Sequence, residues 1–220
     1  MNDIATLYAP GGELGEALAI LAKASPAWVS DAQSTMNTMD PGIKPVWPGA
    51  RVVGPVFTAR CLPESIITVH KALLEAPKGA VIVADGGGTH TGALFGELMA
   101  TEARNRGIVG LIVDGAVRDT EALEALKFPV FARAVTPRVG SNRRLGTTQE
   151  AVVCGGVPVH PGDVVLAAHD GVVVVPRARL AAVVAAVQAI EKKEADLRAR
   201  MGRGEGLAEM IGMLPIIYPK

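Results

Sequence analysis

Two runs of this chain carry apolar residues side by side rather than at alternate positions: AVIVADG at 80–86 and IVGLIVDGAV at 108–117. A strand with one wet face alternates. A strand that is apolar throughout is covered on both faces, as in a parallel sheet flanked by helices. Between the runs lies GALFGELMATEARNRG, which reads as a helix with a glycine-rich entry. Before them lies ESIITVHKALLEA, where Ile66, Val69 and Leu73 recur at helical spacing. A short helix from Asp119 to Leu126 and a third strand, FPVFARAV, continue the alternation. Strand, helix, strand in that order implies parallel pairing through crossover helices.

After Gly146 the texture changes. AVVCGGVPV, DVVLAAHDG and VVVVP read as short β segments separated by turns at Gly155-Gly156, Pro161-Gly162 and Asp170-Gly171. A plain doubly wound sheet has no place for them, so the expected fold is a mixed β/α domain with more than one sheet layer. Residues 1–40 read as a helical lead-in, 41–49 (PGIKPVWPG) as an ordered loop, and ARVVGPVFTAR as a strand with a Gly-Pro break. Residues 179–204 read as one long C-terminal helix. No linker and no internal repeat interrupts the chain, so one domain over 1–220 is expected.

Aromatic residues make up only 4% of the chain, so the core must be built from Val, Ala, Leu and Ile. Basic and acidic residues balance at 22 each, leaving no excess charge to neutralise a nucleic-acid backbone. The cluster Arg133, Arg138, Arg143 and Arg144 reads as a solvated loop. Cys61 and Cys154 have no metal-ligand spacing and read as buried free thiols in a reducing compartment. VVLAAHDGVVVVP is broken by His169 and Asp170 and is too short to span a bilayer. The N-terminus lacks the basic and apolar regions of a secretory leader. A soluble, cytoplasmic protein without nucleic-acid or membrane partners is therefore expected.

The chemistry-bearing residues gather after the buried strands, where open α/β sheets bind ligands. Asp85 and Asp114 stand in the two acidic loops. Arg118-Asp119 pairs an always-charged fork, able to grip a carboxylate or an enolate, with a hard oxygen ligand for Mg²⁺ or Mn²⁺. The plainer role for Asp119 is to cap the helix that follows, with Arg118 an ordinary surface partner. Gly92 and Gly96 let a ligand approach the free N–H groups of a helix start, or let that helix pack closely on the sheet. Glu97, at that helix start, either complements its dipole or orients metal-bound water. In the C-terminal helix Glu194 interrupts an apolar seam of Val183, Val187, Ile190, Leu197 and Met201, with Glu191 its neighbour. His70 reads as a packed core residue, and His90 as a solvent-exposed loop residue near the proposed site. No HxH or HExxH spacing marks a zinc enzyme, and no lysine sits at a strand end as a Schiff-base aldolase needs.

The landmarks IKPVWPGARVVGPVFTAR, VHKALLEAPKGAVIVADGG, GELMATEARNRGIVGLIVDGAVRD, FPVFAR, VVCGGVPVHPGDVVLAAHDGVVVVP and KKEADLRARMGRGE occur in one order. In this the chain resembles the 4-hydroxy-4-methyl-2-oxoglutarate / 4-carboxy-4-hydroxy-2-oxoadipate aldolases, which share a fold with the regulator of ribonuclease activity A. Glu97 followed after twenty residues by Arg118-Asp119 fits that family's acidic-then-Arg-Asp motif, with glutamate where the family often has aspartate. The resemblance implies a swivelling β/β/α-type fold, trimers or hexamers, and sites between subunits. It implies that Asp119 ligates Mg²⁺ or Mn²⁺ and that Glu97 acts through water. Arg118, Gly96 and the N–H groups of Leu98 and Met99 would bind the pyruvate portion of a small oxo-acid substrate. Glu194 or Glu191 from a neighbouring subunit would orient further waters. The implied reaction is retro-aldol cleavage to pyruvate, with oxaloacetate decarboxylation as a side activity. The alternative is a non-catalytic regulator that binds a ribonuclease complex.

Overall fold

The computed structural model describes Tyr8 and residues 11–219, so part of the expected helical lead-in lies outside the described residues. What is described of it forms two short helices, α1 (Gly12–Leu21) and α2 (Pro26–Asp31), followed by turns. Pro26 stands at the first turn of α2, where it removes no needed donor, and Ser25 caps it by accepting from the N–H of Ala27.

The central elements follow in the expected alternation: β1 (Lys44–Pro45), β2 (Val52–Arg60), α3 (Ile67–Glu75), β3 (Val81–Asp85), α4 (Glu97–Asn105), β4 (Gly110–Val117), α5 (Thr120–Ala125) and β5 (Val130–Val135). The later segments give β6 (Thr147–Thr148), β7 (Val152–Cys154), β8 (Val157–Val159), β9 (Val164–Ala168) and β10 (Gly171–Val175). The long helix is α6 (Leu180–Met201), followed by α7 (Leu207–Met210) and α8 (Leu214–Ile217).

Strands β2, β3, β4 and β5 run parallel side by side, and β9 and β10 extend the sheet antiparallel beyond β2. β2 belongs to both halves. Its first residues, Val52 to Pro55, pair with β9, and Val56 to Arg60 pair with β3. The Gly-Pro break marks that changeover. A Cβ on Gly54 would sit 2.9 Å from Val81 Cγ2 and 3.2 Å from Gly79 O, so the corner needs glycine. β1 caps the far edge on β5, and Lys44 Nζ reaches across to Asp170 O at 3.3 Å, nearly closing the sheet.

The apolar runs are as buried as their composition demands. Val81, Ile82, Val83 and Ala84 have no exposed surface, and with Ile112, Val113, Phe57 and Phe131 they form the main core. Burying each such large side chain stabilises by about 1.5–3 kcal/mol. A second cluster joins Leu14, Leu21 and Val29 of the lead-in to β9, β10 and the first half of α6. Burial in α6 stops at Val187, and the remainder of that helix is at least partly exposed.

One element starts later than its sequence suggests. The helix expected from Gly92 begins at Glu97, because residues 92–96 form an irregular stretch bonded to the sheet. The N–H groups of Ala93 and Leu94 donate to Arg138 O and Ala116 O, both at 2.8 Å, and Arg118 N donates to Phe95 O at 3.0 Å. Those bonds satisfy the backbone in place of a helical turn.

Candidate active site

The end of β4 delivers Arg118 and Asp119 next to the start of α4. Asp119 adopts a left-handed conformation, φ 59° and ψ 40°, which an aspartate tolerates better than most residues. Its side chain makes no capping bond to its own helix. The capping role is thereby excluded. Instead Asp119 Oδ2 accepts from the N–H of Glu97 at 3.1 Å and lies 3.4 Å from Arg118 Nε. A residue held off its preferred backbone with its carboxylate turned to another element marks a constrained site.

Gly96 makes this approach possible by having no side chain. A Cβ there would meet Asp119 Oδ2 at 2.5 Å, Arg118 Cγ at 3.0 Å and Arg118 Nε at 3.2 Å. Glu97, Arg118 and Asp119 are therefore brought together, as expected. Leu98 and Met99 follow in the first turn of α4, where N–H groups have no intrahelical acceptor.

Two hollows meet at these residues. Glu97, Asp119, Thr120, Glu121 and Ala122 line an open one of about 420 Å³. Arg118 and Gly96 belong to a narrower one of about 130 Å³, with His70, Ile66, Leu98 and Val139 also on its wall. Ile66 and Val139 also line a broad cleft of about 720 Å³ that includes Asn142, Arg143 and Arg144.

Several expected residues have other roles. Asp114 is buried and held to Arg133, with Nε–Oδ1 at 2.5 Å, while its Oδ2 accepts from Gly155 N at 2.8 Å. Arg133 also lies 3.2 Å from Asp40, so it is an internal clamp and not part of a solvated loop. The hydrogen bond that Arg133 donates to Asp114 raises the already high pKa of Arg133 further. Asp85 closes a local turn by accepting from Gly87 N at 3.0 Å. Asp114 therefore has both oxygens engaged, whereas Asp85 Oδ2 has no hydrogen-bond partner among the described residues. Asp119 Oδ1 has no hydrogen-bond partner among the described residues.

Glu194 is half-buried and paired with Arg198 at 2.9 Å on its own helix, and Glu191 is exposed. Within one chain neither lines a hollow with Asp119. The two thiols are buried and unpaired, as expected. Burial pushes Cys61 up to about 12, with a smaller contribution from Asp85, and burial raises Cys154 well above its ordinary value. His90 is exposed in its loop. His70 departs from expectation: it is exposed and stands on the cavity wall beside Arg118. Glu121, in the first turn of α5, had no distinguishing pattern in the sequence.

A family profile described as "RraA-like: Aldolase/RraA" matches residues 26–174. The chain belongs to the RraA-like family. Among RraA-like relatives, a protein of Halalkalibacterium halodurans named "Putative 4-hydroxy-4-methyl-2-oxoglutarate aldolase" is 38% identical over 172 residues, covering 78% of this chain and 80% of that one. An uncharacterised protein from Pseudomonas syringae pv. tomato superposes with a TM-score of 0.80 at 29% identity, covering 89% and 96% of the two chains. The structure titled as the RNA-processing inhibitor RraA from Thermus thermophilis superposes at 0.64 with 34% identity, covering 70% and 93%. The expected mixed α/β fold and its long C-terminal helix are those of this family. RraA-like proteins thus carry both aldolase and ribonuclease-regulator names. No helix among the described residues is long and apolar enough to cross a membrane.

Proposed function

We propose that this RraA-like chain is a divalent-metal-dependent aldolase that cleaves a 4-hydroxy-2-oxo acid to pyruvate and a second oxo acid. The observation that carries this reading is the Glu97–Arg118–Asp119 cluster, drawn together over Gly96 at the mouth of a cavity.

The residues suit a hard cation. Glu97, Asp119 and Glu121 put three carboxylates around one open hollow, and Glu97 and Glu121 form no ion pair among the described residues. No three His, Cys, Asp or Glu side chains among the described residues converge closely enough to cage a metal by themselves. Mg²⁺ and Mn²⁺ are hard ions, and Mg²⁺ keeps several waters and takes one or two carboxylates, so Asp119 with Glu97 is the donor set this reading requires. Asp119 would hold the ion directly and Glu97 through water, with Glu194 or Glu191 of an adjoining copy completing the shell in a trimer or hexamer. A bound cation supplies Lewis-acid stabilisation of negative charge, worth several kcal/mol.

The chain's own groups supply the rest. Arg118 presents a fixed guanidinium fork to the pyruvate carboxylate or enolate oxygen. The N–H groups of Leu98 and Met99 aim the positive end of α4 at the same anion. Cleavage of the bond between C3 and C4 leaves an enolate, and donors already in place stabilise it without reorganisation. Loss of CO₂ from oxaloacetate leaves the same enolate, which makes decarboxylation the expected side activity.

The test is pyruvate release from 4-hydroxy-4-methyl-2-oxoglutarate and from oxaloacetate, with Mg²⁺ or Mn²⁺ and again with EDTA. Turnover that chelation abolishes and Arg118→Ala removes supports the aldolase. Turnover indifferent to chelation, or none with either ion while a ribonuclease is bound and inhibited, sinks it.

A further inference from the structure

We propose that His70 is the group that protonates the pyruvate enolate at C3. This assignment rests on the aldolase reading above and extends it to a step that reading left without a proton donor.

The argument begins with the division of the site. The open hollow holds the carboxylates, Glu97, Asp119 and Glu121. The narrow cavity of about 130 Å³ holds none. At about 130 Å³ it has room for a small keto-acid fragment. Its wall is apolar except for two side chains, Arg118 and His70. Arginine stays protonated at every physiological pH and cannot act as the acid. That leaves His70 as the sole side chain on this wall whose ring nitrogens can both give up and take back a proton.

Its surroundings keep it free for that work. His70 is exposed at the cavity wall, and among the described residues its side chain has no hydrogen-bond or ion-pair partner. The charged groups around it are few. On its own helix Lys71 and Glu75 hold each other at 2.6 Å. From the end of β4 comes Arg118, and from the adjoining cleft Arg143 and Arg144. On α4, Glu97 faces the other hollow. Ile66 and Val139 are common to the narrow cavity and the broad cleft, which gives the imidazole a path to solvent for its next proton.

The step balances. The electron pair of the C2–C3 double bond takes the imidazolium proton and forms a new C–H bond at C3. The oxygen at C2 returns to a ketone, and His70 is left neutral. The proton that the substrate's 4-hydroxyl gives up at cleavage returns through solvent in the cleft and restores the imidazolium, so no net proton is gained or lost. In the reverse direction neutral His70 removes a methyl proton from bound pyruvate.

That reverse reaction is the assay. Wild-type protein with Mn²⁺ or Mg²⁺ should exchange the methyl protons of pyruvate with D₂O, followed by proton NMR. His70→Asn and His70→Gln should slow exchange by about 10²-fold or more, the usual contribution of a positioned acid or base. Pyruvate should still inhibit oxaloacetate turnover within about twofold of its wild-type constant, because Arg118 and α4 bind it. Free imidazole should restore exchange to His70→Ala, a rescue that a purely structural role does not produce. Exchange within twofold of wild type in both His70→Asn and His70→Gln overturns this assignment and leaves the aldolase intact. A wild-type protein that neither exchanges nor cleaves with either ion overturns the aldolase reading, and this assignment with it.

Discussion

Replacing Gly96 by alanine adds one methyl group at the point where the site is tightest. The backbone there, at φ −163°, accepts alanine without strain, so the effect is purely one of contact. The new Cβ would lie 2.5 Å from Asp119 Oδ2, whereas ordinary contact begins near 3.4 Å, and the carboxylate must retreat by about 0.9 Å. Its 3.1 Å bond from Glu97 N then stretches past hydrogen-bonding range. A hydrogen bond to a charged group is worth about 1.5–3 kcal/mol. A displacement of about 1 Å in a catalytic group costs on the order of 10²-fold. Both routes give a fall in kcat/KM of about 10- to 100-fold, or about 1.4–2.8 kcal/mol in the barrier. Stability should barely change, because alanine also restricts the unfolded chain by about 0.4–1 kcal/mol. Coupled detection of pyruvate from oxaloacetate across a metal titration, beside a thermal melt, measures both. A Gly96→Ala protein with wild-type kcat/KM and metal dependence would refute the claim that Asp119 works from this position. A large loss of Tm would show that the glycine serves packing instead.

Three further outcomes follow from the same geometry. Arg118→Lys keeps the charge but loses the fork, so turnover should fall by at least about 10²-fold, and a fully active lysine variant would remove the guanidinium from the mechanism. Arg133→Met leaves Asp114 buried without its cation and should cost about 2–4 kcal/mol, somewhat below the full cost for a dry pair because both side chains retain some exposure, 19% and 11%. That is a fall in Tm of roughly 4–16 °C, and an unchanged melt would show the clamp to be dispensable. The raised thiol of Cys61 makes folding favour the protonated form. Its contribution is complete below pH 9.0, where the unfolded thiol titrates, and is lost as pH rises toward about 12. Urea unfolding should therefore weaken over that window by up to about 1.4 kcal/mol per pH unit. Cys61→Ala should make that slope shallower, and an unaltered slope would assign it elsewhere.

How much of this was legible beforehand depends on what each feature required. The strands at 81–85 and 110–117 were plain, because burial on both faces dictates composition residue by residue. The crowding of Glu97, Arg118 and Asp119 after the sheet was implied only by the resemblance to the family's acidic-then-Arg-Asp motif. The start of α4 was not legible, since Gly92 to Phe95 has helical neighbours in sequence and extended neighbours in space. Arg133 looked like one more basic residue of a loop because its partners, Asp114 and Asp40, come from distant segments.

Local sequence by itself determined the alternation of strand and helix and the buried β runs, because periodicity and hydrophobic burial act over a few neighbouring residues. The tertiary structure alone decided which way Asp119 turns its carboxylate, which acidic residue is spent on Arg133, and that His70 shares a wall with Arg118. Those outcomes depend on contacts between segments tens of residues apart, whose distances and desolvation no local pattern encodes.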